Sequence, residues 1–289
     1  MRLLFCAKSH KKYLFRLTIL KIYDKLYIIM GKESRKMKIT RFFSAITACA
    51  AALCAVGCSS GEPEKPILRI GCNFGYPPFE YYSENKEQIG IDIELGKALA
   101  EKMGMKAQIV ETAWEGILEG LNKDNYDCVI SAVTITDGRT EKFDFSDPYI
   151  TNYQCIMTLK DAEFKPTSPE ETAGLKIGVQ DETTSDVFIK DFAASNGFEF
   201  NRFAYATASD VFSDLEAGRL DALVCDSMVA ENYLKKNDAF EMTWIQEDNP
   251  EEFGICVKKG SGELLSDINS ALEELKADGT IDEIMKKYF

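Results

Sequence analysis

Residues 128–149, CVISAVTITDGRTEKFDFSDPY, hold the densest set of chemically useful side chains in the sequence. Cys128 to Ser131 read as a strand with both faces covered, because a short apolar run bounded by polar residues has that pattern. The strand opens into the hydroxyls of Ser131, Thr134 and Thr136, and Arg139 follows an Asp137-Gly138 turn. A guanidinium is a planar fork that grips a carboxylate with two parallel hydrogen bonds, and neighbouring hydroxyls and backbone N–H groups take the remaining lone pairs. A surface arginine beside an ordinary strand end would show the same residues, so the assignment needs complementary groups from elsewhere in the chain.

One such group is Asp226, which follows the apolar run ALVC. A fixed positive charge at Arg139 and a fixed negative one at Asp226 match a zwitterion, carboxylate on the first and ammonium on the second. Desolvating both pairs makes an unpaired partner costly, which is a source of discrimination. Tyr76 and Trp114 supply aromatic faces for a side chain, by dispersion or cation–π attraction. Each has a competing reading: Asp226 precedes SMVAENYL and suits a helix N-cap, and Trp114 suits plain core packing.

Positioning these residues takes an alternation of strands and helices. Strands are expected at 67–72 (ILRIGC), 107–110 and 128–131. A helix follows GIDIELGKALAEKMG, with apolar Ile91, Leu95, Leu99 and Met103 at helical spacing, and a second is expected from about Trp114 to Leu121. Between the first strand and the first helix, NFGYPPFEYY carries two prolines that stiffen the segment around Tyr76 and Phe79. The rhythm repeats: a strand LKIGV at 175–179, a helix at 183–196, a strand at 199–203, and then ASDVFSDLEAGRLDALVCD, which echoes WEGILEGLNKDNYDCVIS in pattern. Two α/β lobes with parallel sheets follow from this. The chain crosses between them near 149–160 and returns near 248–257, since the final helices at 261–277 and 279–288 need a sheet to cover. The boundaries expected are 67–150 with 251–289 for the first lobe and 151–250 for the second. The candidate residues fall at strand ends: Asn73 to Tyr76, Ser131 to Arg139, Gln180 to Thr184, and Asp226. Open α/β sheets bind ligands there, so two facing lobes would share one cleft.

Composition narrows the chemistry. The chain has 289 residues, with 45% hydrophobic content and 11% aromatic, which suits a globular protein with a substantial core. Residues 1–57 hold 12 Lys and Arg against 2 Asp and Glu, leaving 22 against 45 from Cys58 onward. So acidic a body excludes nucleic acid as a partner. The single histidine is His10, so once the N-terminal segment is removed no Ser-His-Asp or Cys-His catalysis and no His-ligated metal site remain. The six cysteines from Cys58 onward show no CxxC spacing. Five lie in apolar strand contexts and read as small core residues without an obligatory disulfide.

The N-terminus reads as an address. From Met37, Lys38 and Arg41 form a basic start, Phe42 to Val56 an apolar run, and small residues lead to Cys58. Residues 1–36 read as an upstream extension. AVGCSS resembles a bacterial lipobox, with Ala55 where leucine is usual, which makes Cys58 the lipidated residue; ordinary secretory cleavage nearby is the alternative. The polar stretch at 58–66 reads as a tether, and a diacylated N-terminus as its membrane anchor.

From Ile67 to Phe289 the chain resembles the bacterial polar amino acid binding proteins that feed ABC importers. The resemblance rests on YPPFEYY with GIDIELGKALA, SAVTITDGRTEKFDFSDPYI, KIGVQDETTS, LEAGRLDALVCD and ELKADGTIDEIMKKYF. It implies a two-lobed periplasmic-binding-protein-like fold of type II, in which two parallel-rich sheets are joined by a two-strand hinge. It also implies a monomer that binds a free amino acid and hands it to a permease, without cofactor, metal or enzymatic activity. The family's carboxylate-binding arginine falls on Arg139, assisted around Ala132, Val133, Thr134 and Thr184. Its ammonium-binding aspartate falls on Asp226, and its aromatic walls on Tyr76 and Trp114. Where many members have a Gly-Thr turn this chain has Glu182-Thr183, which brings Glu182 toward the pocket floor. Asn73 and Gln180 point to a neutral polar side chain, whereas Asp181 and Glu182 would welcome a cation. An exported dehydratase on the same fold and a ligand-sensing module are the alternatives.

Overall fold

The computed structural model describes residues 65–289. The upstream extension, the signal sequence, the lipidation of Cys58 and most of the tether lie outside the described residues.

The first half of the chain builds β1 (Ile67–Cys72), a small hairpin of β2 (Tyr81–Tyr82) and β3 (Gln88–Ile89), α1 (Ile91–Lys102), β4 (Lys106–Glu111), α2 (Glu119–Asn122), β5 (Cys128–Val129), α3 (Asp137–Thr140) and β6 (Phe143–Phe145). After β7 (Ile150–Asn152) come β8 (Gln154–Leu159), β9 (Lys176–Gln180), α4 (Thr184–Asn196), β10 (Asn201–Tyr205), α5 (Ala208–Glu216), β11 (Ala222–Asp226), α6 (Ser227–Lys236) and β12 (Phe240–Ile245). The chain closes with β13 (Glu251–Phe253), β14 (Cys256–Lys258), α7 (Gly262–Ala277) and α8 (Thr280–Tyr288).

Two five-stranded sheets share one design. The first runs β4-β1-β5-β14-β6 and the second β10-β9-β11-β8-β12. In each, three strands are parallel and the fourth runs antiparallel to both of its neighbours. The odd strand of each sheet lies next to a crossing in sequence: β8 follows the first crossing and β14 the return. Between the sheets, β7 and β13 pair antiparallel, with Glu251 opposite Asn152 and Phe253 opposite Ile150. This ladder is the two-strand hinge.

Both faces of each sheet are covered, as a parallel sheet requires. On one side Leu68, Ile70, Phe79, Ile93 and Leu99 join Ile268, Leu272 and Leu275 of α7 and, from the second lobe, Phe212 of α5 with Leu223 and Phe240 of the sheet in a continuous apolar cluster. The opposite faces carry smaller clusters, Ile117, Tyr126, Val129, Val133 and Phe143 on the first sheet and Ile156, Ile177, Val179, Ile189 and Val224 on the second. The helix expected from Trp114 is cut to Glu119–Asn122. Gly116 takes φ +77°, a left-handed conformation that stops an α-helix, and Tyr126 lies so close over Gly120 that a Cβ there would stand 2.0 Å from its hydroxyl. Among the described residues no helix is long and apolar enough to cross a membrane.

Candidate ligand-binding site

Each strand end along the cleft delivers one functional side chain, and local sequence explains why. After β5 the backbone turns sharply: Ala132 adopts φ +46°, and its N–H donates to Asp92 Oδ2 at 2.6 Å. That kink sends Thr134 toward the cleft and buries Val133 on the other side, against Tyr126 and Phe143. Thr136 then caps α3, its hydroxyl accepting from the Arg139 N–H at 3.3 Å, so the expected turn is one short helix that carries the guanidinium. After β9, Thr183 caps α4 by accepting from Asp186 N and donates its hydroxyl to the Gln180 carbonyl at 2.8 Å.

A small cavity lies between the sheets, lined by Asn73, Tyr76, Glu80, Trp114, Ser131, Ala132, Thr134, Arg139, Gln180, Thr183, Thr184 and Asp226. Nine of the eleven expected ligand-site residues are therefore brought together. Two stand apart. Val133 faces the core, and its carbonyl accepts from Gly254 N. Glu182 sits exposed in a left-handed turn at φ +58° and borders a wider neighbouring cavity of about 1130 Å³ with Glu111, Glu115 and Asp181. Left-handed backbone points the Glu182 side chain outward, so the pocket floor belongs to Thr183.

The charged pair is poised. Arg139 donates to the Thr134 carbonyl at 2.8 Å and its guanidinium lies 5.7 Å from the centroid of the Trp114 ring. It has no ion-pair partner among the described residues. Burial lowers its pKa, while the charges of Glu251 and Asp226 work to raise it. Trp114 borders both the cavity and the core cluster of the first sheet.

Asp226 occupies the N-cap position of α6 yet makes no capping hydrogen bond with its side chain. Its carboxylate instead accepts from Asn152 Nδ2 and Gln154 Nε2, each at 2.8 Å, and from the Tyr76 hydroxyl. Among the described residues it too has no cationic partner. Burial, with the charge of Glu251, pushes its pKa up to about 7 against the pull of those three donors. A buried carboxylate with donors on it but no cation is what an ammonium would neutralise.

The sheets also touch each other directly across the cleft. Gln180 Nε2 donates to Asn73 Oδ1 at 3.1 Å, the hydroxyls of Thr134 and Thr184 lie 3.3 Å apart, and Ser209 Oγ donates to the Gly75 carbonyl at 2.9 Å. Gln180 Oε1 is buried without a partner beside the cavity.

Sequence reasoning missed four participants. Asn152 and Gln154 flank the first crossing, and Glu251 opens the return. Glu80 lines the cavity, accepts from the Ser131 hydroxyl at 2.7 Å and pairs with Asp92. Burial and then Asp92's charge push the Glu80 pKa well up, so one proton is shared by two carboxyl groups behind the Ser131–Ala132 backbone. The available signal was alternation: in Glu251-Glu252-Phe253 the outer two share a face. The five described cysteines are buried and free, the shortest Sγ separation being 3.8 Å between Cys155 and Cys225. Among the described residues no cluster of His, Cys, Asp and Glu could hold a metal ion.

Comparison with known proteins gives this geometry a context. Residues 68–289 match the family described as bacterial extracellular solute-binding proteins, family 3. The probable histidine-binding protein of Neisseria gonorrhoeae is 31% identical over 263 residues, covering 88% of this chain and 97% of the relative. The L-cystine-binding protein TcyJ of Escherichia coli K12 is 30% identical over 227 residues, covering 78% and 84%. Among solved structures, an ancestral arginine-binding protein bound to arginine is 38% identical with a TM-score of 0.73, covering 78% of this chain and all of that one.

Proposed function

Because the chain belongs to family 3 of the bacterial extracellular solute-binding proteins, we propose that it captures one free polar amino acid in this cleft and delivers it to the permease of an ABC importer. The observation that carries this reading is the pairing of Arg139 and Asp226. They are opposite charges from different lobes, Arg139 on α3 and Asp226 at the end of β11, facing one cavity, each without an ionic partner among the described residues. An amino acid head group satisfies both at once, and only a closed cleft lets both sheets touch it. Ligand binding then shifts an open-closed equilibrium.

The side chain of the ligand meets Asn73, Trp114 and Gln180, whose free Oε1 accepts a donor. Relatives named for histidine, cystine and arginine differ in that part of the ligand and share the head group. Extracytoplasmic placement, anchoring through a diacylated Cys58 and a monomeric state complete the proposal. The test is substitution of Arg139→Ala and Asp226→Ala. Leaving a buried charge unpaired costs about 3–5 kcal/mol, so each variant is expected to lose at least about a hundredfold in affinity while it keeps a cooperative thermal transition that does not fall below that of the wild type. Wild-type affinity by calorimetry in either variant overturns the assignment.

A further inference from the structure

Glu251 lies outside the cavity wall, behind two hydroxyls that form part of it. Its Oε2 accepts from Thr134 Oγ1 and from Thr184 Oγ1, each at 2.9 Å, and those two oxygens are 3.3 Å apart. One threonine comes from the loop after β5 in the first lobe, the other from the first turn of α4 in the second. An ionised carboxylate accepts hydrogen bonds and donates none, whereas a hydroxyl has one proton and two lone pairs. Both threonine protons are therefore spent on Glu251, and toward the cavity each hydroxyl presents lone pairs only. We infer that Glu251 is a specificity-determining positioning residue, which fixes Thr134 and Thr184 as acceptors and so reserves them for the protonated amine of the ligand.

This inference rests on the amino acid reading and corrects one part of the pattern expected from the sequence. There the backbone and hydroxyl of Thr184 assist the carboxylate; with its proton on Glu251 the hydroxyl has nothing to donate, and the carboxylate is left to Arg139 and to backbone N–H groups, that of Thr184 included. The amine end becomes rich in acceptors: Asp226 from one side, two oriented hydroxyls from another. A ligand with three N–H donors finds partners there. An analogue whose amine is replaced by a hydroxyl brings one donor, and leaves acceptors of the site facing its own lone pairs.

The experiment uses as probe the amino acid among the twenty that gives the wild-type protein its largest thermal shift, together with the matching α-hydroxy acid. Affinities are measured by calorimetry at pH 8, where Asp226 is ionised. Glu251→Ala is expected to weaken amino acid binding about tenfold or more and to narrow the preference over the hydroxy acid by a similar factor. Glu251→Gln, which keeps a carbonyl oxygen as acceptor, should stay within about threefold of the wild type. In a Thr134→Val/Thr184→Val background, Glu251→Ala should change affinity less than about twofold, because there is no hydroxyl left to orient. Should Glu251→Ala fail to fold, Thr184→Val against Thr184→Ser carries the same test, the valine losing selectivity and the serine keeping it. Wild-type binding by Glu251→Ala, or the same loss in the valine background, overturns the inference while Arg139→Ala still reports on the amino acid reading. A wild-type protein that binds none of the twenty overturns both.

Discussion

Lowering the pH from 8 to 5 is expected to weaken ligand binding about a hundredfold, because Asp226 must be ionised to meet an ammonium and its pKa lies at about 7. The groups facing it are Tyr76, Asn152, Gln154 and Glu251. The first three donate and favour the charged form; Glu251 and burial oppose it, and win. Relative to the ordinary value of 3.8, the rise of about three units corresponds to about 4 kcal/mol spent in holding this carboxylate charged in the unliganded fold at neutral pH. Since the folded pKa lies above the unfolded one, this contribution to stability is fully present below pH 3.8 and is lost as the pH climbs through about 7. An amine that pairs with the carboxylate recovers it. The dissociation constant should then be lowest near pH 8, before the ligand's own ammonium begins to lose its proton, and rise about tenfold per unit below 7. Calorimetry in buffers of different ionisation enthalpy should count nearly one proton released on binding at pH 5.5 and almost none at pH 8.5. The ligand should be one whose side chain does not titrate in that range. Asp226→Asn should bind poorly at every pH and lose the slope, which separates Asp226 from the Glu80–Asp92 pair. A wild-type dissociation constant constant within twofold between pH 5 and 8 refutes the reasoning.

Two further outcomes concern stability and the site's scaffold. Asp186 is fully buried at the start of α4 and accepts from Arg202 at 2.6 and 2.8 Å and from Lys190 at 2.9 Å; burial opposes its ionisation, but these partners outweigh it and lower its pKa. Asp186→Asn should cost about 3 kcal/mol in urea unfolding at pH 7, a difference that shrinks as the pH falls below about 4, and a cost under 1 kcal/mol would contradict the assignment. Glu80, held protonated beside Asp92, should tolerate Glu80→Gln with affinity within about threefold, since the amide can accept from Ser131 and donate to Asp92. Asp92→Asn, which keeps only one of the two acceptor oxygens that serve the Ala132 N–H and the Tyr149 hydroxyl, should cost about 2 kcal/mol. Equal damage from the two substitutions would rule out the shared proton.

The parts of the site written as side-chain type next to a strand were legible in the sequence. Arg139, Asp226, Tyr76 and Gln180 each follow a recognisable apolar run, and runs of alternating strands and helices bring such ends together whatever the loops do. Where the backbone departs from its default, the pattern misled. Ala132 at φ +46° reverses which of its neighbours faces the cleft, so Val133 is buried, and Glu182 at φ +58° leaves the floor to Thr183. Neither alanine nor glutamate is among the residue types that mark left-handed backbone, as glycine, asparagine and aspartate do. Glu80 was hidden for another reason. In YPPFEYY it looks like one more polar position of a stiff loop, and its partner Asp92 looks like an acidic first-turn residue of α1. Only the fold buries both, and burial turns two ordinary carboxylates into a proton-sharing pair.

The hinge shows how position and chemistry combine beyond what either sequence segment implies. Asn152 and Glu251 stand directly opposite each other on the β7–β13 ladder, so their side chains emerge together on one face. One donates to Asp226 at 2.8 Å; the other accepts from Thr134 and Thr184. A single pair on the strands that join the lobes is thus hydrogen-bonded to the Asp226 carboxylate and to one hydroxyl from each lobe. Opening the cleft by bending at this ladder must pull Thr134 and Thr184 apart, since they sit on different lobes, and Glu251 cannot then hold both. On the proposed reading, the acceptor arrangement that suits an amine is assembled at closure, and a ligand without the amine fails at that step even where Arg139 has already taken its carboxylate.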